Sequence, residues 1–500
     1  MARPPATWHR FKSAVRKVDR DSLLAVAAST TALDTNGGIP DQMRRRGLTP
    51  WNVADVARTA LAWGGVQRQK ADAQSLLLLS NLNFQIEDSV SDEDASAEVL
   101  VRVLSRIFFS QLPAQRPTIP EFARSILLFG SRVELPDGFT PEVMTADWFE
   151  GVTDGLNLDE YVESIFLASV GAQQNNGAFD PAWLDGANFG PLSELISFDA
   201  VRRVFEEHLV TSVENFKIAN RRAQDPLPDA EKQYAFNPLN DKPFIRGAAP
   251  TPLAPSVHAI NAKAHPPAIY HLGLQAHGEA FTHDLGHVFQ HYVGRQLALI
   301  QGDRGDRTVI PEIRYGTRRN SLDSCDWFLD LPDLLVLIEC KARQPVESLR
   351  TGGSDWLNSV TGSIGKGIKQ LNRSNSHVNQ ISAAGEGVDT TKRRIGIVVT
   401  LEPFYLNQNW LIWDQLPTRE FPIGVISVGE LEALVCLDAA GLSSALGGAA
   451  TSANDGILLL NDALNAAAAV DRENPLLMQT WDEIGLFSRL NSLARLREAN

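Results

Sequence analysis

Cysteine is scarce in this chain. The 500 residues include three, Cys325, Cys340 and Cys436, too few for a disulfide framework and in keeping with a reducing compartment. Long hydrophobic runs are missing as well. A membrane helix needs about 20 consecutive apolar residues, and the nearest stretch, "GLSSALGGAATSANDGILLL" at 441–460, is interrupted by Ser, Asn and Asp. The basic opening "MARPPATWHRFKSAVRKVDR" lacks the apolar core of a secretory signal. Positive charge is in deficit: the net charge of −14 argues against wholesale coating of nucleic acid. A local basic groove remains open, because binding answers to the field at the site. These absences lead us to expect a cytoplasmic protein with no membrane partner.

What is present is the composition of a globular protein, 44% hydrophobic and 21% charged. At roughly 150 residues per domain the length suggests about two to four domains. Residues 1–225 read as helical. "LLAVAASTTAL", "DVARTALAWGGV" and "AEVLVRVLSRIFFSQL" carry apolar residues at spacings of three and four, and 147–172 reads as a pair of helices. The acidic run "EDSVSDEDASAE" at 87–98 is expected to be a solvated segment opening a helix. Residues 226–268 are proline-rich, which prevents long helices, and read as a linker or an arm.

From 269 to 435 the pattern changes. A helix over 284–300 precedes three strand-like runs, "RTVIPEIRYG", "DSCDWFLDL" and "LLVLIECKA". A polar helix (about 357–375) follows, then "RRIGIVVTL", "FPIGVISV" and the helix "GELEALVCL". The order is α-β-β-β-α-β, a mixed α+β layered domain. Residues 436–500 return to Ala- and Leu-rich helical character.

The most hydrophobic strand ends on an acid and a base. Along 334–341 one face carries Leu335, Leu337, Glu339 and Lys341, the other Leu334, Val336, Ile338 and Cys340. A buried carboxylate needs a cation or hydrogen bonds. Lys341 supplies part of this, and a divalent metal would supply more if a second carboxylate were near. Asp333 is excluded, because six extended residues separate it from Glu339 by about 20 Å. A tight turn at Pro332-Asp333 instead folds "DSCDWFLDL" back antiparallel, so that Leu331 faces Leu334, Asp330 faces Leu335 and Asp326 faces Glu339. Asp326 and Glu339 are therefore expected to hold one or two hard cations, Mg²⁺ or Mn²⁺, with Lys341 alongside. Such a metal lowers the pKa of bound water and neutralises phosphate charge, which points to phosphodiester hydrolysis. The competing reading is a buried Glu339–Lys341 ion pair with no chemistry.

These residues, Asp326 followed by "WFLDL" and then "LIECK", resemble the PD-(D/E)xK, or restriction-endonuclease-like, nuclease superfamily over about residues 270–430. The resemblance implies Asp326 and Glu339 as metal ligands, the Cys340 carbonyl as a further ligand, and Lys341 as catalytic. It also implies a role for Gln370, on the helix after the site, and DNA as the substrate most in keeping. Restriction, repair and anti-phage systems are all contexts it allows. Two departures stand out. Cys325 occupies the place of the usual proline. On the first helix Gln290 stands where many members have an acid, so it is either a neutral ligand, a substrate contact or a solvent-facing residue. The helix after the site carries Lys366, Lys369 and Arg373, and residues 361–395 hold six bases (366, 369, 373, 392, 393, 394) against Glu386 and Asp389. That local bias suits phosphate contact; a solvated basic helix is the plainer account. Residues 1–225 would recognise a protein partner, mediate oligomerisation or gate the nuclease.

Two other classes compete. "HDLGH" with His291 places His283, His287 and His291 on one helical stripe, the spacing of a zinc hydrolase with Asp284 in the place of the usual glutamate. The alternative to any enzyme is a non-catalytic nucleic-acid or protein-binding platform on the same fold. "GSIGKG" is not a phosphate-binding loop, since the glycine spacing is short and Gly367, not a hydroxyl residue, follows Lys366.

Overall fold

A computed structural model of the chain describes residues 6–35, 44, 47–67, 69–86, 104, 108–109, 117–130, 132–227, 231–300, 309–345, 358, 360–407, 410–470, 472–486 and 488. The acidic run 87–98 and most of "AEVLVRVLSRIFFSQL" lie outside these residues. The chain divides into two compact units that interleave in sequence: 1–125, 149–269 and 481–500 form the first, 126–148 and 270–480 the second. No described helix is long and apolar enough to cross a membrane.

The first unit is helical, as its periodicity predicts. Helices Trp8–Val15, Arg20–Thr35, Pro50–Trp63, Ala73–Phe84 and Val213–Gln224 contribute to one core, with Phe11, Leu23, Leu24, Val53, Val56, Leu76 and Phe216 buried in it. The 147–172 segment is the expected pair, Trp148–Val152 and Leu158–Gln174. The proline-rich 226–268 is more than a linker. It contains the strand Phe244–Arg246, which pairs in parallel with Val210–Ser212. Its Leu239, Ile245 and Leu253 join the same core. Proline forbids long helix there, yet short extended and 3-10 pieces still bury apolar side chains.

The second unit is a mixed α+β domain. Helix α1 spans Pro266–Leu297, kinked at Gly278 (φ 58°). It begins well before the expected 284, because the positive φ that Gly278 adopts lets one helix bend into the next. Leu285, Val288, Phe289 and Tyr292 are buried along it, as the helical wheel predicts. Strands follow as β1 (Val309–Pro311), β2 (Arg314–Thr317), β3 (Asn320–Asp323), β4 (Trp327–Leu331) and β5 (Leu334–Lys341). Then come α2 (Lys366–Ser376), α3 (Val378–Ala384), β6 (Arg393–Thr400), β7 (Ile423–Ser427), α4 (Val428–Leu434) and α5 (Ala439–Thr451). The run "RTVIPEIRYG" thus yields two strands, and β2 leaves the main sheet to pair with β3 as a separate hairpin.

The main sheet has the order β1-β4-β5-β6-β7. Pairings β1–β4 and β4–β5 are antiparallel; β5–β6 and β6–β7 are parallel. β5 is central and buried from Leu334 to Glu339, which matches its unbroken apolar run. Both faces are covered. Leu329, Val336, Ile338 and Ile397 share an apolar cluster with Leu297 of α1, Leu431 of α4 and Leu446 of α5. α2 packs on β5 and β6 from the other side.

Candidate active site

The site forms where the antiparallel half of the sheet stops and the parallel half continues. β4 and β5 pair from Leu331↔Leu334 through Asp330↔Leu335 to Trp327↔Ile338. This is the register a Pro332-Asp333 turn dictates. One step further, Asp326 leaves the ladder opposite Glu339. β6 runs beside β5 to the end, pairing Glu339 with Val398 and Lys341 with Thr400. Asp326 Oδ2 accepts the Cys340 N–H at 2.6 Å, which ties the end of β4 to the end of β5.

Glu339 is 1% exposed. Its Oε1 accepts from Lys341 Nζ at 2.7 Å, and the same ammonium donates to Gln370 Oε1 on α2 at 2.8 Å. Glu339 Oε2 is buried without a hydrogen-bond partner. α2 comes this close because residue 367 is glycine: a Cβ there would lie 3.1 Å from both Val398 methyls and 3.6 Å from Glu339 Cγ. The Glu339–Lys341 ion pair is therefore real, but it leaves half of the carboxylate unanswered.

The electrostatics follow from that excess. Burial, then the Asp326 carboxylate, push Glu339 up to about 8 against the pull of Lys341. Asp326 is raised by burial, opposed by the Cys340 N–H, Lys341 and His287. The Cys340 thiol is pushed well up by burial and both carboxylates, so it stays neutral. A third acid belongs to the group. Glu312, just past β1, is exposed as a residue, but desolvation of its carboxyl, with repulsion from Asp326 and Asp323, pushes it up to about 7. Sequence reasoning passed over Glu312, since no short turn links β1 to β4; its only signal is its place at the end of an apolar strand run. As placed, no three His, Cys, Asp or Glu among the described residues form a metal-holding group.

On α1, Gln290 is half-buried, and its carbonyl accepts from Trp327 Nε1 at 2.9 Å. The neighbour of Asp326 thus pins that turn of the helix to the start of β4. His287 lies against Phe139 with centroids 4.4 Å apart and ring planes tilted by 33°, and meets His283 edge-on at 5.0 Å. Asp284 is buried and accepts from the Val143 and Met144 N–H groups at 2.7 and 3.0 Å. Its Oδ2 thus holds residues 143–144, while its Oδ1 is buried without a hydrogen-bond partner, 3.7 Å from His283 Nδ1.

No protein-family model, no curated protein and no solved structure matches this chain. Its chemistry has to be read from the residues themselves.

The six bases of 361–395 divide sharply. Arg373 donates to the Asp323 carbonyl at 3.0 Å and clasps the β2–β3 hairpin. Lys392 pairs with Asp330 at 2.7 Å, Arg394 donates to Asn375 at 2.7 Å, and Arg393 donates to Thr451 at 3.1 Å. Lys366 and Lys369 are exposed on α2. Arg318 and Arg319, at the exposed turn of the β2–β3 hairpin, are further basic residues that the sequence reading did not single out. Of the three bases on α2, Arg373 is engaged and the two lysines are left to meet solvent or ligand; the other engaged bases, Lys392, Arg393 and Arg394, lie at or just before the start of β6.

Proposed function

We propose that the protein is a metal-dependent nuclease of the PD-(D/E)xK kind, hydrolysing phosphodiester bonds, with DNA the preferred substrate. The observation that carries the reading is Glu339 Oε2: a buried carboxylate oxygen with no partner, one strand from Asp326, in a site where one ammonium faces several acids. Left alone, that arrangement is destabilising. A hard divalent cation, Mg²⁺ or Mn²⁺, suits a donor set of carboxylate and carbonyl oxygens. Asp326 and Glu339 would hold it, with the Cys340 carbonyl as a further donor. Such an ion supplies an activated water and neutralises charge on the scissile phosphate.

The chain's own residues do the rest. Lys341, fixed between Glu339 and Gln370, is positioned to take a proton from the attacking water or to stabilise charge on the phosphate. Gln370 orients the ammonium through its side-chain oxygen. Lys366 and Lys369 are the α2 residues free to meet the phosphate backbone. A second reading, a non-catalytic nucleic-acid-binding platform, draws support from the lack of a ready-made three-ligand group among the described residues.

The deciding experiment incubates the full chain with plasmid, linear duplex, single-stranded DNA and RNA in Mg²⁺, Mn²⁺ or EDTA. Degradation that needs the metal and falls at least about 100-fold in Lys341→Ala is expected. Binding that resists EDTA, with no cutting of any substrate, would replace the nuclease by the platform.

A further inference from the structure

The sheet register places one more acid at the site. β1 pairs with β4 as Val309↔Leu329, Ile310↔Phe328 and Pro311↔Trp327, so the next level brings Glu312 beside Asp326. Beyond it the strands stay joined: Ile313 N donates to Ser324 Oγ at 2.9 Å, and Ser324 N donates to the Ile313 carbonyl at 3.1 Å. Glu312 therefore stands alone against Cys325 and Asp326. One residue against two is the arrangement of a β-bulge, which redirects side chains at the end of a ladder. Across three neighbouring strands the order is Glu312, Asp326, Glu339, and the next residue at that level is Val398.

Resting on the nuclease reading above, we propose that Glu312 is a metal ligand, and that Glu312 with Asp326 forms a second divalent-cation position beside the Asp326–Glu339 position, Asp326 being shared. Neighbouring strands lie about 4.8 Å apart, so three acids in a row act as two adjoining pairs. This is why they do not converge on one point as a triad. The evidence that the row wants cations is the buried, unpartnered Glu339 Oε2 at its inner end. The nearest bases are shared with other groups: Arg314 pairs with Asp323 at 2.9 Å, Arg373 donates to the Asp323 carbonyl at 3.0 Å, and Lys341 pairs with Glu339 at 2.7 Å. Glu312 is exposed, so the outer position fills from solvent while the inner one is enclosed.

Mn²⁺ binding to the metal-free full chain, followed by calorimetry and by electron paramagnetic resonance without nucleic acid, tests this. Wild type should take up two Mn²⁺ per chain, and Glu312→Gln, on an exposed side chain, should take up one with unchanged affinity at the remaining position. Asp326→Asn should lose both. One Mn²⁺ in wild type and the same single site in Glu312→Gln would overturn the role of Glu312 while leaving the nuclease reading intact. No Mn²⁺ bound by wild type would overturn both.

Discussion

Glu339 is a carboxylate placed where its charge is unwelcome, and the sign of its effect on stability follows. In the unfolded chain a glutamate loses its proton near 4.3; in the metal-free folded protein Glu339 keeps it to about 8. Between those values the folded state holds the extra proton. Stability is then greatest below the lower value and falls as pH rises, by up to about 1.4 kcal/mol per pH unit, until the loss is complete above the upper one. Glu339→Gln removes this titration, and its side-chain oxygen can still accept from Lys341. Urea denaturation in EDTA at pH 5.5, 7 and 8.5 should show wild type losing stability with pH more steeply than the variant. Adding Mn²⁺ should restore wild type most at the highest pH, where the cation has no proton to displace. Parallel pH curves for the two proteins would mean that Glu339 ionises without penalty, and the case for a cation there would lose its basis.

At the scale of elements, the site depends on how closely α2 lies on β5 and β6. Gly367→Ala sets two effects against each other. Alanine is better in a helix by about 1 kcal/mol. Its methyl would press on Val398, a fully buried residue of β6, and such overpacking costs about 1–3 kcal/mol. The second effect should win, with a net loss of about 1 kcal/mol and α2 lifted so that Gln370 draws away from Lys341. Gly362→Ala, where the added methyl meets open space, is the control and should not destabilise. A lower urea midpoint for Gly367→Ala alone, with reduced nuclease activity, is the expected outcome; equal midpoints would show that Val398 yields.

The same scale decides what could be read in advance. The β4–β5 register was legible because a two-residue turn fixes the centre of a hairpin, and every opposite pair follows from it. The pairing of β1 with β4 has no such turn, since the β2–β3 hairpin intervenes, and so Glu312 stayed hidden. The assignment of 126–148 to the second unit rests on contacts such as Val143 and Met144 with Asp284, 141 and 140 residues apart in sequence, which leave no periodic signal. The buried apolar faces of α1 and β5 were legible for the opposite reason: burial imposes periodicity on neighbouring residues.

For the whole molecule the issue is how a chain of net charge −14 approaches a polyanion. Its overall field opposes association, so binding has to rest on a few local cations. Four of the six bases near the site are engaged with other residues, which leaves Lys366 and Lys369 on α2 and the hairpin-turn residues Arg318 and Arg319. Each phosphate neutralised adds about 0.9 to the slope of log affinity against log salt for duplex DNA. Removing both lysines should therefore lower the slope by about 2 and weaken binding similarly for unrelated sequences. Fluorescence anisotropy on labelled duplex in EDTA, where the nuclease is silent, measures this across a salt series. A Lys366→Ala, Lys369→Ala protein with the wild-type slope would place the phosphate contacts elsewhere. A second double variant, Arg318→Ala with Arg319→Ala, then asks whether the hairpin turn carries them instead, and a fall of about 2 in that variant would move the binding path from α2 to the hairpin.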